Sequence, residues 1–471
     1  MYSLHDIEVK DFPIKEILKC EVEFAIGKHS TLILLAYVEN EDYFLNEMPE
    51  FEDMEVLLHE GDKKSILFTG VVASVQVMES GQAKVIQIEG KSRSFLLAQA
   101  RHSRSFQNTK ISCRELVKEV VKGYEGYDEN TLSYTGEDTE IKKLIVQYQE
   151  TDWDFLQRVL SGTGLVITPD SAKEGLKLYA GIPDFEAEDI PYHVMGMEKD
   201  MGAYYSLKSN GRQVHTADFT QYQIASGHIL RIFDSIFIQG QPMTVYSGRY
   251  LFESQELTGI YELQNPKGMV AAASYPMHLI GVALTGKVVN VSGTKVQVAL
   301  DIDKGHEGRC GHWFPYSTIS ASKDGSGWYY MPEAGDDVRV YFPSKQEGEA
   351  IALSSVSSYS GPQDGGEDRM KDPNSRYLRT KAGQQLVLSP EHIRLSCAGN
   401  TSAVTINNDG KVMIEAQIKL KAVAEELLAL HAEEELNIHA SKQVLLQSLD
   451  GGYIASDSGD VLLRGTEVNY D

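Results

Sequence analysis

Three acidic residues lie close together in the chain and have the spacing of a catalytic acid pair. Glu150, Asp152 and Asp154 alternate within one short segment, and a hydrolase uses two such carboxylates as general acid and as base or nucleophile. No second group of catalytic residue types accompanies them in the sequence. The residues that follow are apolar at helical spacing, so we favour a structural interpretation in which Asp152 caps a helix over Asp152–Leu160. Its inward face would consist of Phe155, Leu156 and Val159.

Other residues of chemically active types stand in patterns that are weaker still. Glu333, Asp336 and Asp337 have oxygen ligands for a metal, but their spacing does not fit a Ca²⁺ loop. Cys113 near a helix start has the setting of a nucleophile, although a packed helical residue is the simpler interpretation. The segment 162–164, Gly-Thr-Gly, lacks the flanks of a phosphate loop and predicts a turn. We therefore expect no catalytic residue, no metal and no cofactor.

The charge and cysteine content limit the partners and the compartment. The net charge is −24 over 471 residues, whereas a nucleic-acid or anionic lipid surface selects clusters of Lys and Arg. We interpret the acidity as solubility of a large assembly. The four cysteines are far apart and form no CxxC pair, which favours thiols in a reducing cytosol. The start of the sequence has no signal-peptide pattern, and no apolar run approaches membrane-spanning length, so we expect synthesis in the cytoplasm.

The last sixty residues repeat with a period of eight, counted from Met413. The second position of each block is apolar, the fourth is small in most blocks, and the eighth is mostly apolar. Because eight is an even number, an extended strand keeps these positions on one face, whereas an α-helix rotates by about 80° per block. The predicted core of a β-rod is therefore Ile414, Ala416, Leu420, Leu428, Leu430, Leu436, Ile438, Ala440, Val444, Leu446, Ile454 and Leu462.

A helix is the alternative for the middle of this tract. The stretch from Ala416 to Glu435 is rich in Ala, Leu, Glu and Lys, which favour helix locally. We prefer the β interpretation because the register continues through Thr405–Val412 before it and through Gly- and Ser-rich blocks after it. A narrow ribbon cannot cover its own apolar edge, so three copies wound about one axis are expected. His431 and His439, one block apart at the third position, would then point outward without a metal.

The sequence that precedes the eight-residue repeat predicts mainly strands, with a few helices. The first hundred residues alternate with period two and predict an antiparallel barrel, and strand patterns resume between Leu165 and about Met277. Ser112 followed by Glu115 predicts a capping box at a helix start. Five short strand patterns between 279 and 356, among them Gly327–Pro332, predict an OB-type barrel. The chain is thus expected to be mainly β, with strand-rich parts and helical insertions at 1–277, an OB-fold at 278–357, a linker at 358–375 and a trimeric β-rod at 376–471.

Three motifs in this order resemble VgrG proteins and the related phage late-control and tail hub proteins. Residues 147–160 resemble the segment QYxExDxxFLxRLL of that family. Residues 328–340 resemble the PExGDEVxV run that closes its OB-fold, and residues 68–72 resemble an FxGxV strand of its hub barrel. The residues that carry the first two matches are Tyr148, Asp152, Phe155, Leu156, Arg158, Pro332, Gly335, Asp336 and Val338.

This resemblance implies a structural role in a contractile injection system. It implies that residues 1–277 form a hub of two β-barrel subdomains with helical insertions and that residues 376–471 form an intertwined trimeric β-helix spike. The hub would cap the inner tube, with tube-like barrels from three chains forming a pseudo-sixfold ring, and the spike would puncture a target envelope on sheath contraction. The implied partners are two further copies of the chain, the inner tube and baseplate proteins, and a PAAR-type tip protein or an effector at the C-terminus. Contact with the target membrane would be transient. The protein would be assembled into a phage tail-like particle or secretion apparatus and expelled on firing.

Two other functions are weighed against this expectation. One phage relative of the family carries a lysozyme domain between its OB-fold and rod, which makes a cell-wall-degrading spike an alternative. Here the predicted linker at 358–375 is too short for a fold with a paired-carboxylate cleft. A trimeric β-fibre adhesin is the other alternative, but it should have a secretion signal and a receptor-binding head. We therefore expect a protein that is not an enzyme.

Overall fold

The computed structural model describes residues 2–39, 41–47, 53–80, 83–253, 256–303, 310–324, 326–353, 361, 368, 370–449, 452–457 and 460–464. The chain divides into two compact units, Met1–Ser358 and Tyr359–Asp471. Much of the predicted linker lies outside the described residues. Within the described part, no helix is both long and apolar enough to cross a membrane. Short helical turns lie at Leu4–Asp6, Tyr43–Glu47, Arg93–Ala98, Thr216–Phe219, Pro266–Gly268, Met277–Leu279, Asp301–Asp303, Glu347–Glu349 and Ala398–Asn400.

The first unit begins with an antiparallel sheet whose strands alternate as the sequence predicts. Its order is β1-β4-β5-β6-β3-β2. In the third strand every second side chain, from Leu32 to Val38, is buried, because one face of the sheet covers the core. The strands are β1 (Ile7–Val9), β2 (Ile14–Ala25), β3 (Thr31–Val38), β4 (Asp53–Glu60), β5 (Lys63–Ser80) and β6 (Ala83–Lys91).

A helix–strand module follows, and it has its own apolar core. Strands β7 and β9 form a two-stranded antiparallel ribbon, and β10, β11 and β8 form a small sheet. The predicted capping box is confirmed, since Glu115 N donates to Ser112 Oγ and Ser112 N donates to Glu115 Oε2, both at 3.1 Å. The elements are β7 (Arg101–Phe106), α1 (Cys113–Val121), β8 (Leu132–Tyr134), β9 (Ile145–Thr151), α2 (Asp152–Thr163), β10 (Ile167–Pro169) and β11 (Leu178–Ala180).

The next strands extend the first sheet. Strand β2 pairs antiparallel with β16, with Val22 opposite Tyr250, so the path continues from β2 through β16, β17 and β14 to β13. One apolar core underlies both halves of this sheet. The two halves predicted as separate barrel subdomains are therefore joined edge to edge. The elements are β12 (Ala187–Glu188), β13 (His193–Lys199), α3 (Met201–Ser209), β14 (Thr220–Ser226), β15 (Ser235–Ile238), β16 (Gln241–Glu253) and β17 (Glu256–Gln264).

Five strands after residue 282 close into a small barrel. The sheet order is β20-β19-β18-β21-β22, and a parallel bridge between Tyr316 and Ala352 brings the third strand against the fifth. The strands are β18 (Ala283–Ser292), β19 (Lys295–Leu300), β20 (Trp313–Pro315), β21 (Asp337–Tyr341) and β22 (Ile351–Leu353). The strand predicted at Gly327–Pro332 is wrong. That segment belongs to a loop closed on itself, in which Trp328 N donates to Ser320 O at 2.8 Å.

The second unit contains two antiparallel meanders, which differ from the continuous ribbon that the sequence predicts. The first consists of β23 (Arg376–Arg379), β24 (Gln385–Leu388), β25 (His392–Ser396), β26 (Ser402–Asn407) and β27 (Val412–Ala416). The second consists of β28 (Gln443–Gln447), β29 (Tyr453–Asp457) and β30 (Asp460–Arg464). Thr405 lies opposite Met413 across a hairpin, so the register does not run straight through residues 405–412. Gly410, with φ +86°, supplies the left-handed backbone of that hairpin.

The segment between the two meanders keeps the eight-residue period in its backbone. Within 417–442, all of which the structure describes, the chain forms neither a helix nor a paired strand, so the strand predicted there is not seen in the single chain. It bends at residues 417–418, 425–426, 433–434 and 441–442, and each bend falls at the fifth and sixth positions of a block. The helical alternative for Ala416–Glu435 is therefore wrong. The period of the sequence determines the conformation here, and the local helix propensity does not.

Candidate functional site

The acidic motif residues lie at the start of helix α2, but the cap differs from the prediction. Asp154 N donates to Thr151 Oγ1 at 3.1 Å, and Thr151 Oγ1 donates to Asp154 Oδ2 at 2.7 Å. Thr151 is thus the N-cap residue, and the predicted cap at Asp152 is wrong. Asp152 occupies the first helical position, where a carboxylate still interacts favourably with the helix dipole.

The side chain of Asp152 is buried in a network of donors. Its Oδ1 accepts from Arg104 Nη2 at 2.5 Å and from Gln147 Nε2 at 2.8 Å, and its Oδ2 accepts from Tyr124 Oη at 2.9 Å. Burial and the adjacent Asp152 carboxylate raise the pKa of the Tyr124 hydroxyl well above its ordinary value. Both oxygens of Asp152 are therefore engaged in holding the helix start against strand β7.

A second carboxylate of the motif forms a buried ion pair with the motif arginine. Arg158 Nε and Nη2 donate to the two oxygens of Glu150 at 2.8 and 2.7 Å, and Nη1 donates to Glu347 Oε1 at 3.3 Å. All three residues are buried. Burial acts to lower the pKa of Arg158, but the hydrogen bonds and charges of Glu150 and Glu347 raise it above its ordinary value. Burial raises the pKa of Glu347, against the opposing effect of Arg158.

The remaining residues of this motif pack around the same helix. Phe155 stacks on Phe106 with ring centroids 5.4 Å apart, and Leu156 is fully buried. Tyr148 lies in strand β9, partly buried against the barrel core, and its carbonyl accepts from His278 Nε2 at 2.6 Å. In this arrangement Glu150, Asp152 and Asp154 each accept from a fixed partner, which is the geometry of a structural network.

The second motif forms the turn that enters strand β21. Glu333 N donates to Asp336 Oδ2 at 2.8 Å, and Gly335 N donates to Val288 O at 2.7 Å. Gly335 has φ +99°, a left-handed backbone conformation that favours glycine at this position. Val338 is buried in the barrel core, and Pro332 lies six residues before it in the sequence. Among the described residues, no group of three or more His, Cys, Asp or Glu side chains that could hold a metal ion occurs.

The other candidate positions have structural surroundings. Cys113 is buried at the start of α1, and burial raises the pKa of its thiol, which disfavours a nucleophilic thiolate. Gly164, with φ +85°, is the C-cap of α2, so residues 162–164 end a helix. His431 and His439 are both exposed.

The predicted rod residues are apolar side chains that a single chain leaves exposed. Most of them, from Ile414 to Leu462, are exposed in the described structure. Leu446 and Ile454 are direct cross-strand partners. Leu462, however, pairs with Ala455 on the opposite face of the β28–β30 meander. The register therefore changes at the last block, because β28 and β29 pair even-numbered with even-numbered residues, whereas β29 and β30 pair odd-numbered with even-numbered residues.

The structure adds an apolar face that sequence reasoning missed. On the β23–β27 meander, Leu378, Leu386, Leu395, Val404 and Ile414 form one cross-strand row. A second aliphatic row lies beside it on the same face. Seven of these nine side chains are 42–63% exposed, and an exposed patch of this kind marks an interface. The second row consists of Leu388, Ile393, Ile406 and Val412. The sequence signal for this face is that apolar residues occupy every second position within each short strand.

Comparison with known proteins finds a family match within the first unit. Residues 33–218 match the family model described as the phage tail baseplate hub (GPD). This region is thus similar to the phage tail baseplate hub family. The first motif lies inside the matched region, whereas Glu347 of its ion network, the rest of the barrel and the second unit lie after it. No curated protein sequence matches the chain significantly.

Solved structures show that the fold extends beyond the hub region. The E. coli c3393 protein, a type VI secretion component with structural similarity to the T4 tail proteins gp27 and gp5, is 13% identical to this chain. It superposes with a TM-score of 0.55 over 75% of this chain and 100% of its own. The half-lidded Francisella PdpA–VgrG complex is 11% identical, with a TM-score of 0.52 over 87% of each chain. The chain thus has a mainly β, VgrG-like fold.

Proposed function

We propose that this protein is the structural hub and spike of a contractile injection system. Its hub would cap the inner tube, and its second unit would form a trimeric spike that punctures the target envelope when the sheath contracts. The observation that carries this proposal is the exposed nine-residue apolar face of the β23–β27 meander, in a chain whose first unit contains a baseplate hub region. Such a face needs a partner, and copies of the same chain supply one by symmetry.

The segment that follows supports a threefold rod. Its bends recur every eight residues, so each block presents its apolar positions in the same way, and three chains can bury them along one axis. We expect the OB class for the barrel, because five strands with the third beside the fifth have that topology. Each Leu or Ile buried in such a rod contributes roughly 1.5–3 kcal/mol, which suits a part that must stay folded under compression.

Partners follow from the same assignment. The hub would contact inner tube and baseplate proteins, and the apolar residues of the β28–β30 meander, such as Leu445 and Leu463, suit a PAAR-type tip protein or an effector. A VgrG protein in Francisella has been solved in complex with PdpA, which is consistent with cargo carried in this way. The strongly negative net charge argues against a nucleic-acid partner. The assembly would be expelled on firing and touch the target membrane transiently.

The trimer is tested with two neighbouring substitutions in the rod. Ile438→Asp would place three carboxylates in an apolar core and should abolish the SDS-resistant trimer. His439→Asp introduces the same charge one residue later, on the opposite face, and should leave the trimer intact. Light scattering and unheated gels measure the outcome. An Ile438→Asp protein that stays trimeric would show that the register is wrong.

The function is tested by deleting the gene and examining particles by electron microscopy. We expect sheaths and tubes that do not assemble into complete, puncturing particles, with rescue by the parent chain. Complete particles that lack only a surface fibre would favour an adhesin. Peptidoglycan hydrolysis by the purified chain would favour a spike enzyme, since a purely structural spike has no such activity.

A further inference from the structure

The hub module and the barrel share one apolar core. Leu144 and Val146, at the start of strand β9, are fully buried among the barrel residues. Ile145, between them, points the other way and lies in the core of the helix–strand module. Since successive strand residues face opposite sides, β9 acts as a wall between two cores, and the barrel is closed on this side by the hub.

The free edge of strand β9 is bound by a carboxylate of the barrel. Glu347, in the turn before β22, accepts from Val146 N at 2.8 Å and from Arg158 Nη1 at 3.3 Å. Arg158 is in turn held by Glu150 and donates to Val146 O at 2.9 Å. The edge groups of β9 are therefore satisfied by side chains that meet from both sides of the boundary.

The opposite edge of the same ribbon is bound by a second barrel carboxylate. Asp303 accepts from Ser105 N at 2.6 Å and also from Ser105 Oγ. Two residues on, Gln107 Nε2 donates to Val298 O at 3.0 Å. Ser105 and Gln107 are buried in or beside strand β7. Both edges of the two-stranded β7–β9 ribbon thus end on carboxylates of the barrel.

We propose that the β7–β9 ribbon is the joint that makes hub and barrel one rigid body, with Glu347 and Asp303 clamping its two edges and Arg158 as the positioning residue for Glu347. Its mechanical meaning rests on the proposed function. In a spike, axial force on the barrel passes into the hub through this ribbon, in parallel with the covalent connection at 265–278. The first family motif, which contains Glu150 and Arg158, then serves the joint.

Glu347 is the residue whose removal should destabilise the joint most. Its removal leaves a buried Val146 N–H without an acceptor and takes one carboxylate from Arg158, and unsatisfied buried groups are costly. Glutamine at the same position keeps an oxygen in place for both donors and loses the charge alone. Glu349 lies in the same turn but is exposed, so it provides a matched control.

The test is hydrogen exchange measured by mass spectrometry on the full chain. For Glu347→Ala we expect exchange on the order of 10- to 100-fold faster in both β9 and the barrel strands β18–β19, with β2–β6 unchanged. Glu347→Gln should restore most of the protection, and Glu349→Ala should match the parent. If Glu347→Ala is insoluble, Glu347→Asp, whose carboxylate is withdrawn by one methylene, should give a smaller increase in the same two places.

The proposed joint would be refuted if Glu347→Ala speeds hydrogen exchange only in residues 344–350. It would also be refuted if β9 of Glu347→Ala exchanges at the same rate as in the parent chain. The exchange measurement needs no particle, so it stands apart from the proposed function. In particles, Glu347→Ala should permit assembly but reduce puncturing relative to Glu349→Ala. Equal puncturing by the two variants would refute force transfer through the ribbon. A parent chain that is absent from particles would refute the hub and spike function instead.

Discussion

Two adjacent residues of strand β27 give the sharpest test of the spike interface. Ile414 belongs to the exposed apolar face of the meander, whereas Met413 lies on the other face, opposite Thr405. Their exposed fractions are similar, at 58% and 43%. Ile414→Asp and Met413→Asp should therefore affect the folding of one chain similarly, and only the first should place a charge in the interface.

The expected effect on assembly is large. Covering the seven exposed side chains of this face contributes about 1 kcal/mol each, hence on the order of 7 kcal/mol per chain. An uncompensated carboxylate in that interface costs several kcal/mol, and threefold symmetry repeats it in every chain. A total on the order of 10 kcal/mol per trimer corresponds to roughly seven powers of ten in the association constant. At micromolar concentration Ile414→Asp should then be monomeric.

Sedimentation equilibrium and unheated SDS gels measure this outcome. The parent chain and Met413→Asp should sediment as trimers and resist SDS, whereas Ile414→Asp should do neither. Circular dichroism of all three proteins checks that the strands are retained. A trimeric Ile414→Asp protein would refute the assignment of this face to the interface, and equal loss in both variants would show that the effect is on folding.

Further predictions concern the first unit. Asp152→Asn should lower the free energy of unfolding by about 1.5–3 kcal/mol, because it weakens the charge-assisted bond from Arg104, as measured by urea denaturation. Burial lowers the pKa of His29 to about 4, below its value in the unfolded chain. The folded state therefore binds fewer protons than the unfolded state, and the free energy of unfolding should fall by on the order of 2 kcal/mol as the pH drops from 6.5 to 4. His29→Phe should remove that dependence in urea titrations at the two pH values. Gly286→Ala should lower the melting temperature by several degrees, because its Cβ would lie 2.6 Å from Ala299 O.

Local patterns predicted the parts of the fold that depend on neighbouring residues. The capping box at Ser112 was found because both partners lie within one turn. The eight-residue period argued against a helix in a region whose composition favours one, and the bends that recur every eight residues there follow that period. By contrast, Thr151 and Asp152 are both good N-cap residues, and the side chain of Asp152 is instead bonded to Arg104, which lies far away in sequence.

Contacts between distant residues could not be read from the sequence. Arg158 and Glu347 are separated by 189 residues, and Ser105 and Asp303 by 198, so their motifs gave no sign that they meet. The apolar meander was missed because each of its strands has four to six residues, too few to establish a period beside the longer tract that follows. The Gly327–Pro332 segment has strand-forming residues, but its backbone groups bond within their own loop.

The regular bends between 417 and 442 have a consequence for how the length of this segment can change. Every block bends at the same two positions, so the segment repeats in units of eight residues. Deleting residues 421–428 would keep all later bends and apolar side chains in phase, whereas deleting five residues would turn each later side chain to the opposite face. The length of the segment can thus change in units of eight residues while the sequences on either side of it stay unchanged.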